Sequence, residues 1–297
     1  MSREQRMKID ALLRQPVPAG PRTIEEIRAG FAALMAQMRV PSEIRTRATT
    51  LGGRPTVLVE PAAEARPGTI LYFHGGGFVS GSPDTAMTLT ANLVTRTGFR
   101  ALSVDYRLAP EHPFPAGIHD AVDAYRALLD SGADAASIAF AGDSAGGGLT
   151  ITTCLAARDA GLPLPAAIVA FSPGLDATRT GESMLTKADR DPIFTRASLD
   201  HTGGMYLAGQ DPRQPLLSPA VLADLRGFPP ILLQAGTNEM LLDDATRLAA
   251  RAREAGVDVI LDITAEVPHV FQSFAGSLDE ADEALDRAAL FLRQRLG

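Results

Sequence analysis

Apolar residues recur at helical spacing in two segments near the start of the chain: 3–14, with Ile9, Leu12 and Leu13, and 23–38, with Ile24, Ile27, Phe31, Leu34, Met35 and Met38. That period predicts two amphipathic helices. Between them, Pro16-Val17-Pro18-Ala19-Gly20-Pro21 removes amide donors and restricts φ, so it stops one helix and re-aims the other, and the pair can pivot as a unit. The stripe Phe31, Leu34, Met35 and Met38 reads as core packing, with a substrate wall as the lesser alternative.

After Pro41 the period shortens. Residues 44–50 and 56–60 alternate around Gly52-Gly53 as a hairpin does, and 69–73 is apolar without alternation, which predicts a strand covered on both faces. Helix 82–98, strand 99–104, helix 117–131, strand 137–141, helix 149–160 and strand 165–171 follow in turn. Strands alternating with helices predict an α/β protein with a mainly parallel sheet. From 172 to 227 the alternation lapses into a proline-rich stretch holding a helix over 195–207. This reads as an insertion above the carboxyl edge of the sheet, where Phe194, Met205 and Tyr206 can join the N-terminal helices as a cap. Strand 228–234, a helix over 240–255 that stops at Gly256, strand 257–263 and a closing helix over 278–296 complete the chain.

Composition narrows the function classes. A chain of 297 residues with 45% hydrophobic content can bury one large core with an appendage. A net charge of -7 with no dense basic patch argues against nucleic acid or an anionic membrane as partner and favours a small neutral substrate. The one cysteine, Cys154, cannot form an internal disulfide and reads as a buried structural thiol. The first residues are charged and amphipathic rather than signal-like, and no run reaches the length of a membrane span, so a soluble cytoplasmic protein is expected.

The chemistry centres on Gly142-Asp143-Ser144-Ala145-Gly146, set between a predicted strand and a predicted helix. A serine on so sharp a strand-to-helix turn needs small residues two before and two after it, and both are glycine here. The turn lifts the Ser144 hydroxyl above the sheet edge and aims the first free helix amides, that of Ala145 included, at an oxygen bound there. His74-Gly75-Gly76-Gly77-Phe78 follows strand 69–73, and its three glycines let backbone amides approach a ligand closely, as an oxyanion loop requires. A serine also needs a base. Of the five histidines, His74 lies in the glycine loop, His112 in a proline-rich loop, and His119 and His201 within helices. His269 sits just after the last strand, on the edge that carries the elbow, and restores the chain order serine, acid, histidine.

Taken together, HGGGF at 74–78, DYRLAPEHPFPA at 105–116, GDSAGGGL at 142–149 and Pro268-His269 resemble the hormone-sensitive-lipase family of bacterial esterases, in its GDSAG subgroup, over nearly the whole chain. The resemblance implies an α/β-hydrolase fold: a mostly parallel eight-stranded sheet flanked by helices, with cap helices from residues 1–40, a catalytic domain over 41–297 and a cap insertion at about 180–225. It implies cleavage of short to medium acyl esters through an acyl-serine intermediate. Ser144 is then the nucleophile, His269 the base, and the amides of Gly76, Gly77 and Ala145 the oxyanion donors, with Gly75 the nearby alternative. The acid departs from the common DPL-like pattern: aligning on Ala255-Gly256-Val257 and on His269 puts Glu239 in its place, with Asp243 as second choice. Ser172-Pro173-Gly174 stands where the family often has SPW. No metal or organic cofactor is implied, and a homodimer through the last strand and closing helix is. Two other classes use the same scaffold, a non-catalytic ligand-binding protein and an amide or peptide hydrolase.

Overall fold

The computed structural model describes residues 2–15 and 22–296; the expected proline break at 16–21 lies outside the described residues. Two helices, α1 (Ser2–Leu13) and α2 (Ile24–Met35), precede the hairpin of β1 (Ile44–Leu51) and β2 (Arg54–Pro61). The alternating part runs β3 (Thr69–Phe73), α3 (Met87–Thr97), β4 (Arg100–Val104), α4 (Ala116–Asp130), β5 (Ile138–Asp143), α5 (Ala145–Asp159) and β6 (Ala167–Phe171). Between β6 and β7 lie α6 (Ser183–Thr186), α7 (Arg196–Leu207) and α8 (Pro219–Leu222), and β7 (Ile231–Asn238), α9 (Leu242–Glu254), β8 (Val259–Pro268) and α10 (Asp279–Leu296) close the chain.

The eight strands form one sheet in the order β1-β2-β4-β3-β5-β6-β7-β8. β1 and β2 are antiparallel to each other and β2 to β4, while the remaining pairs are parallel. This is the α/β-hydrolase architecture that the sequence resemblance implies. The period of two along the central strands divides the core. Leu71, Phe73, Phe140, Ile168 and Leu233 face α4, α5 and α9, whereas Ile70, Tyr72, Val169, Phe171 and Leu232 face α3 and α10. Side chains of this size contribute roughly 1.5–3 kcal/mol each when fully buried, so both faces of every central strand are apolar and neither face could be exposed cheaply. Cys154 is fully buried on α5, and burial pushes its thiol pKa up, as a structural thiol requires.

Four expectations shift. The helix placed over 82–98 begins only at Met87, because Ser82 and Thr85 exchange side-chain-to-backbone hydrogen bonds that compete with the helical ladder. The elbow helix begins at Ala145, directly after the serine, rather than at 149. The last strand runs on to Pro268, since its pairing with β7 continues to Asn238 opposite Pro268, and this brings the chain to the threshold of His269. The stripe on α2 is not core: no residue of that helix is buried, because it meets the body through Ile24, Ile27 and Arg28, and of the stripe it is Met38, past the helix end, that packs against the cluster of Ile9, Val267 and Phe271. Thr23 caps α2 with a reciprocal Thr23–Glu26 box, which offsets that sparse packing. Among the described residues no helix is long and apolar enough to cross a membrane.

Candidate active site

The half of the site around Ser144 is built from backbone. Ser144 holds φ 51° and ψ -118°, a conformation a non-glycine residue adopts only when its surroundings enforce it. Its N–H donates to the Phe171 carbonyl at 2.8 Å, and its own carbonyl accepts from Gly148 and Gly174, both at 3.0 Å. The glycines are obligatory: a Cβ on Gly146 would collide with the Phe73 carbonyl, and one on Gly142 with the Gly146 carbonyl. The elbow can therefore pack against β3 only without those side chains.

The glycine loop is fixed by turning its carbonyls inward. Gly76, at φ 119°, accepts from the Ser80 N–H and the Ser80 hydroxyl, each at 2.9 Å. The Gly75 carbonyl meets His74 Nδ1 at 2.8 Å, and the His74 ring stacks on Tyr106 with centroids 4.2 Å apart. Burial lowers the His74 pKa to about 4, so this imidazole stays neutral and serves as a brace for the loop. The buried Asp143 carboxylate, packed against Gly75, accepts from Tyr72 OH at 2.8 Å. Burial raises the Asp143 pKa to about 6, against the opposing pull of the Tyr72 hydrogen bond. The amides of Gly76, Gly77 and Ala145 take no acceptor among the described residues. The Gly75 amide takes none either, so all four candidate oxyanion donors are open by this measure.

The other half is built from side chains. His269 follows β8 directly; its Nε2 lies 2.8 Å from Ser144 Oγ and its Nδ1 lies 2.6 Å from Glu239 Oε2. Glu239 is fully buried at the end of β7, where its Oε1 accepts from the Gly236 amide at 2.5 Å and from the Ser172 hydroxyl at 3.0 Å. Ser172 Oγ accepts in turn from the Val270 amide at 3.0 Å, so one hydroxyl ties the acid to the histidine loop. Burial alone would lower the His269 pKa; the hydrogen bond and charge of Glu239 outweigh it, with Asp191 and Asp143 adding to the effect, and the net shift is upward. The Phe194 ring packs edge-on against His269 at 4.8 Å.

Ser144, His269 and Glu239 thus meet in one hydrogen-bonded row, and the strand ends bring the three glycines and Ala145 to the same edge. Asp243, the alternative acid, is turned to the segment between β6 and β7, where its carboxylate accepts the Ser183 amide at 2.8 Å. Asp143, Ser172 and Asp191 were not singled out by the sequence. Asp143 had a signal in its place beside Ser144, and Ser172 in its place at the carboxyl end of β6, but Asp191 sits in a charged, proline-broken stretch with none. Among the described residues no group of three or more His, Cys, Asp or Glu side chains is arranged to hold a metal ion.

Residues 70–273 match the family defined by the α/β hydrolase fold. An acetyl-hydrolase from Streptomyces hygroscopicus is 43% identical over 77% of this chain and 76% of its own. The carboxylesterase NlhH of Mycobacterium tuberculosis is 31% identical over 98% of this chain and 97% of its own. A crystal structure of an esterase from the bacterial hormone-sensitive lipase family superposes with a TM-score of 0.95 at 40% identity, covering 99% of both chains.

Proposed function

The chain belongs to the hormone-sensitive-lipase family of α/β hydrolases and is a carboxylesterase, and from that premise we propose that it cleaves short to medium acyl esters through an acyl-Ser144 intermediate. The observation that carries this reading is the row Ser144 Oγ, His269 Nε2, His269 Nδ1 and Glu239 Oε2, with its links of 2.8 and 2.6 Å. His269 takes the Ser144 proton as the hydroxyl attacks the ester carbonyl, and Glu239 accepts the Nδ1 hydrogen and stabilises the imidazolium that forms. The amides of Gly76, Gly77 and Ala145 receive the oxyanion; one such donor is worth about 10²–10³ in kcat. The imidazolium then protonates the departing alcohol, and water, activated by His269, releases the acid. The similarity to an acetyl-hydrolase supports the short end of the acyl range.

In this reading α1, α2 and the insertion form a cap over the site. Its support is the cluster of Ile24 and Ile27 with Met205, Tyr206 and Leu207, together with the seat of Phe194 on His269. Two copies pair through β8 and α10, a reading supported by the exposed Ile260, Ile263 and Leu290 at that edge, and sedimentation would test it. The net charge of -7 supports a neutral ester rather than nucleic acid as partner, and the single buried Cys154 supports the reducing cytoplasm as compartment. The test of function is turnover of p-nitrophenyl acetate through p-nitrophenyl dodecanoate, with an anilide alongside. Activity that peaks at short acyl chains and vanishes in Ser144→Ala is expected; a preference for long chains or for the anilide would overturn the substrate reading.

A further inference from the structure

Asp191 is a buried carboxylate with no basic partner among the described residues; only 5% of it is exposed, and it has no ion pair. Removing a charge from water costs several kcal/mol unless hydrogen bonds replace the hydration. Three backbone amides do so: those of Ile193 at 2.8 Å and Phe194 at 2.9 Å meet Oδ1, and that of Met240 meets Oδ2 at 2.8 Å. The first two fold the turn that sets the Phe194 ring against His269. The third comes from the residue directly after Glu239, 49 positions away in the chain. The Met240 carbonyl is held as well, by the Ser183 hydroxyl at 2.7 Å, so the insertion grips both polar groups of the residue next to the acid. From outside, Arg14, just beyond α1, donates to the Arg190 carbonyl at 2.9 Å and braces the same turn.

We propose that Asp191 is a positioning residue: a single carboxylate that locks the insertion onto the Glu239–His269 pair, setting at once the position of the acid and the position of Phe194 beside the base. It touches neither substrate nor reacting atoms. The proposal rests on the reading of Glu239 as acid and His269 as base. The charged groups that bear on His269 are Glu239, Asp191 and Asp143, all carboxylates, and each favours the imidazolium. Neutralising Asp191 therefore has two consequences that a loosened fold would not share. The acid limb of the pH profile moves down, and kcat per active site falls because the base is misaligned.

The experiment compares Asp191→Asn, Asp191→Glu and Glu239→Gln with wild type. The kcat, KM and kcat/KM pH profile of each are normalised by active-site titration with an organophosphate. The expected result for Asp191→Asn is a loss of about 10–100-fold in kcat, the size of effect a small misplacement of reacting groups produces, with the acid limb displaced to lower pH. Asp191→Glu keeps the charge but not the reach, so the limb stays in place while kcat falls. That variant carries the test alone if Asp191→Asn does not accumulate as folded protein. Wild-type kcat in either folded variant overturns the proposal, and so does a loss in Asp191→Asn that leaves the acid limb unmoved. Glu239→Gln separates the two levels: if it retains full activity the reading of the acid has failed, whereas a crippled Glu239→Gln beside an unaffected Asp191→Asn condemns Asp191 alone.

Discussion

The Ser144 half and the Glu239–His269 half of the candidate site are held by different means. Around Ser144 and the glycine loop, position comes from the close approach of backbone to backbone, possible only because Gly142 and Gly146 have no side chains to collide with the carbonyls of Gly146 and Phe73. Around Glu239 and His269, position comes from side chains reaching across the fold: Ser172 to Glu239, the Val270 amide to Ser172, the Met240 amide to Asp191 and the Ser183 amide to Asp243. A backbone-packed half has no intermediate states, because a single Cβ breaks it. A side-chain-held half can be weakened one bond at a time, and for this reason its contributions can be graded by substitution.

Several substitutions would break or sharpen this contrast. Glu239→Gln, read by steady-state kinetics, is expected to cost about 10³–10⁴ in kcat while the protein stays folded, since it removes the group that orients and charges His269. A loss of that size in Asp243→Asn instead would move the acid and dissolve the contrast. Gly146→Ala is expected to act on the fold itself, lowering stability by about 1–3 kcal/mol through overpacking and abolishing activity with it; thermal melts check this, and an unshifted Tm would show that the elbow is not sterically locked. Ser172→Ala removes one link of the side-chain half, and a fall of about tenfold in kcat, equivalent to about 1.4 kcal/mol, is the expected intermediate result.

The pH profile carries a further prediction. Protonated His269 cannot accept the Ser144 proton, so kcat/KM falls as pH drops through the His269 pKa. With that pKa raised above its ordinary 6.5, chiefly by Glu239 working against burial, the acid limb lies above 6.5. In Glu239→Gln the largest opponent of burial is gone, Asp191 and Asp143 alone remain against it, and the limb moves down. A profile that ignores the substitution would separate His269 from Glu239. The smallest effect belongs to Asp243→Asn, which is expected to leave kcat near wild type and to cost about 1 kcal/mol or less in a denaturant melt, because the asparagine oxygen still accepts the Ser183 amide and only the charge on that bond is lost.

Much of the backbone-held half could be read from residues in order. Glycines on either side of Ser144, three more after β3 and apolar runs without alternation each have a local steric or periodic meaning, and they led to the elbow, the glycine loop and the alternating order of the sheet. His269 was legible by its place after the last strand, and Glu239 only by alignment on its neighbours. The errors have the same origin. Helix α3 starts late because two side chains compete for its first amides, and the stripe on α2 looks like core because periodicity reports which face is apolar without reporting what covers it. The sequence by itself determined the main strands and helices, their order and the sharp turn at Ser144, because those follow from φ restrictions and side-chain period over a few neighbouring residues; the short α6 and α8 escaped it. Only the tertiary structure decided that Glu239 rather than Asp243 faces His269, that Ser172 bridges Glu239 and the Val270 amide, and that Asp191 holds the Met240 amide. Those choices depend on hydrogen bonds between residues dozens of positions apart, whose geometry exists only once the sheet has brought its strand ends together.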